Sequence, residues 1–133
     1  HNYGPDVKIG SLHINVYDTM SAHDIHGLTR KISMQMFERH GIIMTVGVYA
    51  VATGDNKQAE LQKEVLHIIA SHKEIIQVHG LYYSEADNMF SVDIIPDESV
   101  NDDAGISRQL AEEIQPLVPG VNVFVVVDHN YSE

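Results

Sequence analysis

Histidine and carboxylate side chains are the residues of this chain best suited to chemistry. The 133 residues include nine His, nineteen Asp or Glu and no Cys. Without Cys, thiol catalysis, disulfides, Cys-based zinc sites and iron–sulfur ligation are excluded, and any bound metal is expected on imidazole, carboxylate or water. The net charge of −11 repels phosphate backbones and anionic lipid. Nucleic acid is therefore not expected as a partner.

Three of these residues, His79, Asp93 and Asp128, form the strongest candidate site. Residues 75–83 and 89–95 are predicted strands joined by a polar connection, and a turn centred on Ala86 places His79 opposite Asp93 on the face away from the core. Alternation in the last strand puts Asp128 on the same side. An imidazole and two carboxylates can bind a divalent cation such as Zn²⁺, Mn²⁺ or Fe²⁺, and a solvated surface pair is the alternative interpretation.

A second group of histidines lies near the start of the first predicted helix. His23 and His26 are three residues apart, with Asp18 and Asp24 close by. Two histidines at this helical spacing can bind one metal ion. Exposed polar positions in a first helical turn are the alternative. The other histidines of the helices are interpreted as structural or solvated: His40, His67 and His72.

Hydrophobic periodicity predicts the elements that position these residues. The predicted strands span residues 9–17, 42–53, 75–83, 89–95 and 121–128. The predicted helices run from Ser21 to Gly41, from Asp55 to near Lys73, and from Asn101 or Asp102 to about Pro116. The order β-α-β-β-α-β from residue 42 onward predicts a ferredoxin-like α+β fold, with helices on one face of an antiparallel sheet.

The strand and helix before residue 42 are an addition to that fold. We therefore expect a single domain over residues 1–133, in which residues 1–41 are an N-terminal β-α extension and residues 42–129 are the ferredoxin-like core. The sheet face away from the helices is predicted to be too apolar to be left in water. A second copy of the chain or the first helix would cover it, and both remain open. The apolar residues predicted on this face are Tyr49, Val51, Leu81, Tyr83, Met89, Phe124 and Val126.

The stretch HIIASHKEIIQVHGLYYSEADNMFSVDIIPDESVNDDAGISRQLAEEIQPLVPGVNVFVVVDH resembles the cytoplasmic C-terminal domain of cation diffusion facilitator transporters. The likeness lies in a helix ending near His72, a hydrophobic-x-x-His strand at His79, a potential ligand at Asp93, an LAEEI helix and a last strand closing on Asp128. The upstream segments IGSLHINVYDTMSAHDIHGLTRKI and HGIIMTVGVYAVAT resemble an extension found in some bacterial members. Together the resemblance covers most of residues 9–129.

The resemblance implies a regulatory and dimerisation domain of a divalent metal/proton antiporter, at the cytoplasmic face of the cell membrane. Its partners would be a second copy and the membrane domain of the same full-length chain. His79 and Asp128 match family metal ligands, and Asp93 stands where many members have His. Val126 stands where a ligand histidine is common, and Arg108 or another non-His residue nearby replaces a helix histidine. A full binuclear site and a reduced, weaker or absent one therefore both stay open. Asp93 in place of His favours oxygen-preferring ions such as Mn²⁺ or Fe²⁺.

Two other classes of function remain as alternatives. One is a free-standing ferredoxin-like sensor whose dimer interface binds an amino acid or a nucleotide. The other is a small metal-handling enzyme, which would need a deep pocket around His79. The sequence has no nucleophile elbow and no phosphate-binding glycine loop, so no enzymatic activity is expected.

Overall fold

The computed structural model describes residues 8–129 and shows an α+β protein in which three α-helices accompany two sheets. The elements are β1 (Lys8–Tyr17), α1 (Ala22–His40), β2 (Ile42–Val51), α2 (Lys57–Ile69), β3 (Ile75–Ser84), β4 (Met89–Pro96), α3 (Asp103–Ile114), a short 3-10 helix (Gln115–Leu117) and β5 (Asn122–Val127). Within residues 8–129, no helix combines the length and the apolar character needed to cross a membrane.

The N-terminal unit consists of β1, α1 and β2. Its two strands pair in parallel, from Lys8 opposite Ile42 to Tyr17 opposite Val51. The α1 helix begins as the sequence predicts, because the Ser21 side chain accepts a hydrogen bond from the Asp24 backbone N–H at 3.1 Å. It ends at Gly41 in the left-handed conformation, with φ of 65°. No residue of α1 is fully buried.

The pairing of β2 differs from the expectation. The sequence predicts β2 as the first strand of the ferredoxin-like core, whereas the structure pairs it with β1 in a separate sheet. The division between the two compact units accordingly falls after Val51, and not after residue 41. Strand partners are chosen by contacts between distant parts of the chain, so the local pattern of residues 42–53 does not reveal them.

The C-terminal unit contains α2, β3, β4, α3 and β5. Its sheet has the order β3-β4-β5, with β3 and β4 antiparallel but β4 and β5 parallel, so the expectation of an antiparallel sheet is wrong. Alternate residues of the central strand β4 enter the core. The fully enclosed side chains come from β4 and the two helices: Phe90, Val92, Ile94, Leu61, Val65, Leu110 and Ile114. The helices therefore cover one face of this sheet, and the opposite face is called the outer face below.

The caps of the two later helices agree only in part with the prediction. The α3 helix begins after Asp102, whose carboxylate accepts from the Gly105 backbone N–H at 3.0 Å. The α2 helix is capped by Asn56, which accepts from the Ala59 N–H at 2.9 Å, and not by Asp55. It ends at Ile69, before Lys73.

Candidate functional site

His79 and Asp93 are direct cross-strand partners in the β3–β4 pair, which confirms the predicted register. Partners in an antiparallel pair present their side chains on the same face. Because the neighbouring β4 residues Val92 and Ile94 are buried in the core, His79 and Asp93 lie on the outer face. Both are half-buried. The structure thus brings an imidazole and a carboxylate together on one side of the sheet.

A β-bulge produces this pairing. Next to the turn, Ser84 pairs with Met89 and Tyr82 with Ser91, and continuing that register would place His79 opposite the core residue Ile94. The register instead shifts by one residue between Tyr82 and His79. The shifted segment contains Gly80 at φ of 66°, a left-handed conformation that favours glycine.

The same bulge changes which side chains of β3 face the core, so several predicted positions are wrong. Leu81 and Tyr83 are predicted on the outer face, but the structure packs both against the core, because the extra residue reverses the alternation on the far side of the bulge. Tyr82 is 46% exposed in their place. A second shift, between Ile75 and Gln77, leaves Ile76 61% exposed. Strict alternation from the outward-facing His79 would instead place Ile76 in the core.

Gln58 on α2 supports the bulge. Its side-chain amide donates to the Leu81 carbonyl at 3.5 Å, and its Oε1 accepts from the Tyr83 N–H at 3.3 Å. A bulge interrupts the hydrogen bonds between the strands. The bonds to Gln58 therefore supply partners for backbone groups beside the bulge that the strand pairing does not satisfy. Gln58 follows the predicted helix start Asp55 by three residues, the spacing of a capping box, and nothing in the local pattern reveals its contact with β3.

Gln77 is the polar neighbour of His79 that the sequence analysis leaves without a role. The Gln77 Oε1 atom lies 2.8 Å from the His79 Nε2 atom. Residues two apart on a strand share a face, so the outward direction predicted for His79 applies to Gln77 as well. That shared direction is the signal that identifies Gln77 as part of the same polar group.

Asp128 follows the last residue of β5. Its backbone N–H donates to the Ile94 carbonyl at 2.8 Å, which extends the β4–β5 ladder by one step. Asp93 itself pairs with Val126. Across residues 8–129, no three or more His, Asp or Glu side chains are grouped so that they could hold a metal ion. The structure therefore assembles the His79–Asp93 pair, but it does not gather Asp128 with them into one ligand group.

The histidines of α1 are likewise not gathered into a site. His23, His26 and Asp24 are all exposed on the first turns of the helix. Within residues 8–129, neither these residues nor Asp18 belong to a group of three or more His, Asp or Glu side chains that could hold a metal ion. His40 lies in the last turn of α1, and His67 is exposed on α2.

Apolar side chains surround the polar pair on the outer face. Phe124 is 51% exposed and Val126 is 48% exposed. Phe124 lies across from Ser91, which in turn pairs with Tyr82, so aromatic residues from both edge strands share one row. This concentration of apolar surface is more typical of a contact surface than of a face left in water.

A second polar cluster centres on His72, between α2 and β3. Its ring lies 3.2 Å from a carboxylate oxygen of Glu74 and 3.0 Å from one of Glu113 on α3, and the side chain is only 9% exposed. Burial of the ring, which lowers the pKa, is the largest single influence. The hydrogen bonds and charges of Glu113 and Glu74 together outweigh it, so the pKa of His72 is raised above its usual value of 6.5. Its two nitrogens point to different partners, which makes the cluster a link between α3 and the α2–β3 connection.

Comparison with known proteins finds no match to the chain among protein-family models, curated proteins or solved structures.

Proposed function

We propose that the chain is a metal-responsive regulatory and dimerisation domain of a divalent cation efflux transporter. The observation that carries this proposal is the His79–Asp93 pair, held opposite each other on the outer face by the bulge at Gly80. The resemblance of residues 67–129 to cation diffusion facilitator domains supports the transporter assignment. In this proposal the domain catalyses no reaction and lies at the cytoplasmic face of the membrane, joined to the membrane domain of its own chain.

The donor chemistry of the pair fits a divalent cation. An imidazole nitrogen and a carboxylate oxygen are ligands for Zn²⁺, Mn²⁺ and Fe²⁺, and water completes the shell at exposed sites. Asp128 is proposed as a further ligand that would have to move toward the pair when metal binds, because alternation after Val126 directs it to the outer face but the structure does not group it with His79 and Asp93. A cation would draw these carboxylates together by removing their mutual repulsion.

Dimerisation follows from the charge and from the exposed apolar surface. Two copies of a chain with a net charge of −11 repel each other. The apolar side chains of the outer face, including Phe124 and Val126, favour association. A cation bound beside them lowers the charge at the place where the two copies would meet. Metal binding would therefore shift the equilibrium toward the dimer, to the extent that the dimer binds the cation more tightly.

The ferredoxin-like assignment is part of the same proposal. The order α2-β3-β4-α3-β5 and the β3–β4 hairpin support it. The strand that would precede α2 is β2, which pairs with β1 in the structure. We therefore apply the assignment to the C-terminal unit and regard β1, α1 and β2 as the added part.

The proposal predicts that Zn²⁺ or Mn²⁺ stabilises the protein through the outer face. For a dissociation constant of about 0.1 mM, 1 mM metal would stabilise the folded state by about 1.4 kcal/mol, equivalent to a rise of about 4–6 °C in the melting temperature for a chain of this size. The variant carrying His79→Ala and Asp93→Ala should lose this rise. Sedimentation velocity on the same samples should show a metal-dependent dimer for the wild type and none for the His79–Asp93 variant.

The matched control carries Glu64→Ala and His67→Ala, which likewise remove one carboxylate and one imidazole, from exposed positions on α2. It should respond to metal as the wild type does. Equal melting shifts in the wild type and in the His79–Asp93 variant would show that the outer face is not the metal site and would remove the main support for the proposal.

A further inference from the structure

We infer that Gln77 is a metal ligand of the outer-face site and that it directs the site toward an octahedral, oxygen-preferring cation such as Mn²⁺. This inference rests on the proposed function, since it assumes that His79 and Asp93 bind metal. It adds a neutral amide oxygen to the imidazole and carboxylate donors of the proposed site. With Gln77, one ring nitrogen, one amide oxygen and one carboxylate occupy neighbouring positions on the same face.

The distance between Gln77 and His79 is the first argument. Their Oε1 and Nε2 atoms are 2.8 Å apart. Two adjacent ligands at about 2.1 Å from a cation are about 3.0 Å apart in an octahedron and about 3.4 Å apart in a tetrahedron. The pair thus has to open by about 0.2 Å for octahedral binding and by about 0.6 Å for tetrahedral binding. The two side chains are already spaced as adjacent ligands.

The strand context is the second argument. Gln77 and His79 lie between the two register shifts of β3, where the regular alternation keeps both on the outer face. Asp93 faces His79 directly, while Gln77 faces the apolar Ile95. The amide of Gln77 therefore has His79 as its nearest polar neighbour along the strand, and the three donors come from a stretch of the sheet with defined register.

The chemistry of the donors is the third argument. Amide and carboxylate oxygens suit Mn²⁺, whereas Zn²⁺ accepts nitrogen and sulfur ligands in tetrahedral sites more readily. The Nε2–H of His79 donates to Gln77 Oε1 in the structure. Cation binding at Nε2 needs the lone pair of that nitrogen, so the ring proton must move to Nδ1. The Gln77 oxygen then turns from accepting the ring proton to coordinating the cation. No net proton is gained or lost in this exchange.

Calorimetric titration with MnCl₂ and ZnCl₂ tests the inference. Gln77→Ala should weaken Mn²⁺ binding by about tenfold and Zn²⁺ binding by clearly less, while Gln77→Glu should tighten Mn²⁺ binding by adding a charged oxygen. The control is Gln109→Ala, which removes the same residue type from an exposed position on α3 and should bind both ions as the wild type does. The ¹⁵N shifts of the His79 ring should report the change of tautomer on addition of Zn²⁺ to the wild type.

The outcomes separate this inference from the proposed function. If His79→Ala and Asp93→Ala abolish Mn²⁺ binding while Gln77→Ala binds like the wild type, the assignment of Gln77 is overturned and the outer-face metal site survives. If His79→Ala and Asp93→Ala both bind Mn²⁺ like the wild type, the proposed function itself is overturned. Because Gln77 is exposed, its substitution should leave folding intact, and circular dichroism of each variant verifies this.

Discussion

Replacing Gly80 tests the link between the bulge and the candidate site. Gly80 has φ of 66°, and a side chain in this left-handed region costs about 1–2 kcal/mol. Gly80→Ala should therefore lower the free energy of unfolding by that amount, or relieve the strain by giving up the bulge. In the second case the register set at the turn continues, and His79 moves from Asp93 to a position opposite Ile94.

Two measurements distinguish these responses. Urea denaturation gives the loss of stability, for which we expect about 1–2 kcal/mol. Cross-strand nuclear Overhauser contacts between the backbone protons of His79 and Asp93 report the register. Loss of those contacts should be accompanied by loss of the metal-induced rise in melting temperature, because the site would be dismantled.

Gly120→Ala is the matched control for backbone strain. Gly120 has φ of 80°, and an added Cβ there meets no atom within 4 Å. Its substitution should cost a similar amount of stability and leave both the register and the metal response unchanged. The reasoning about the bulge would be refuted if Gly80→Ala left the free energy of unfolding unchanged. It would also be refuted if Gly80→Ala and Gly120→Ala lost the metal response equally.

Two further predictions concern contacts of the C-terminal unit. Gln58→Leu should destabilise the protein by about 1–3 kcal/mol in urea denaturation, because the Leu81 carbonyl and the Tyr83 N–H lose the partner that α2 supplies; a change below about 0.5 kcal/mol would contradict this role. His72 has a raised pKa, so its stabilising contribution is complete below the usual value of 6.5 and is lost as the pH rises through the raised value. The stability difference between wild type and Glu113→Gln should accordingly be larger at pH 5.5 than at pH 8.5, by about 0.5–1 kcal/mol because Glu113 is more than a third exposed, whereas the exposed Glu112→Gln control should show no such pH dependence.

Local signals in the sequence were sufficient for the first and third helices. Ser21 and Gly41 cap α1 as predicted, and Asp102, one of the two predicted starts, caps α3, because capping depends on residues within one helical turn. The cap of α2 is Asn56 in place of Asp55. Both residue types are good caps. Gln58 lies three residues after Asp55 and so makes Asp55 resemble the cap, but its side chain bonds to β3 and takes no part in capping.

The candidate pair was predicted correctly from an incomplete description of the hairpin. A turn centred on Ala86 gives the pairing of His79 with Asp93. Beside the turn, however, Ser84 pairs with Met89, which is one residue away from the register that this centre predicts. The bulge at Gly80 compensates for the offset. Period-two counting has no means of detecting an inserted residue, which is why the same count misplaces Leu81 and Tyr83.

The parallel pairing of β1 with β2 has a consequence for the order in which parts of the protein unfold. A sheet of only two strands is barely stable in water, and α1 adds no fully buried side chain to it. Most of the stabilising burial of apolar side chains therefore comes from the core of the C-terminal unit around Phe90 and Leu110. On warming, residues 8–51 should unfold before the C-terminal unit, which would remain structured and retain the β3–β4 hairpin.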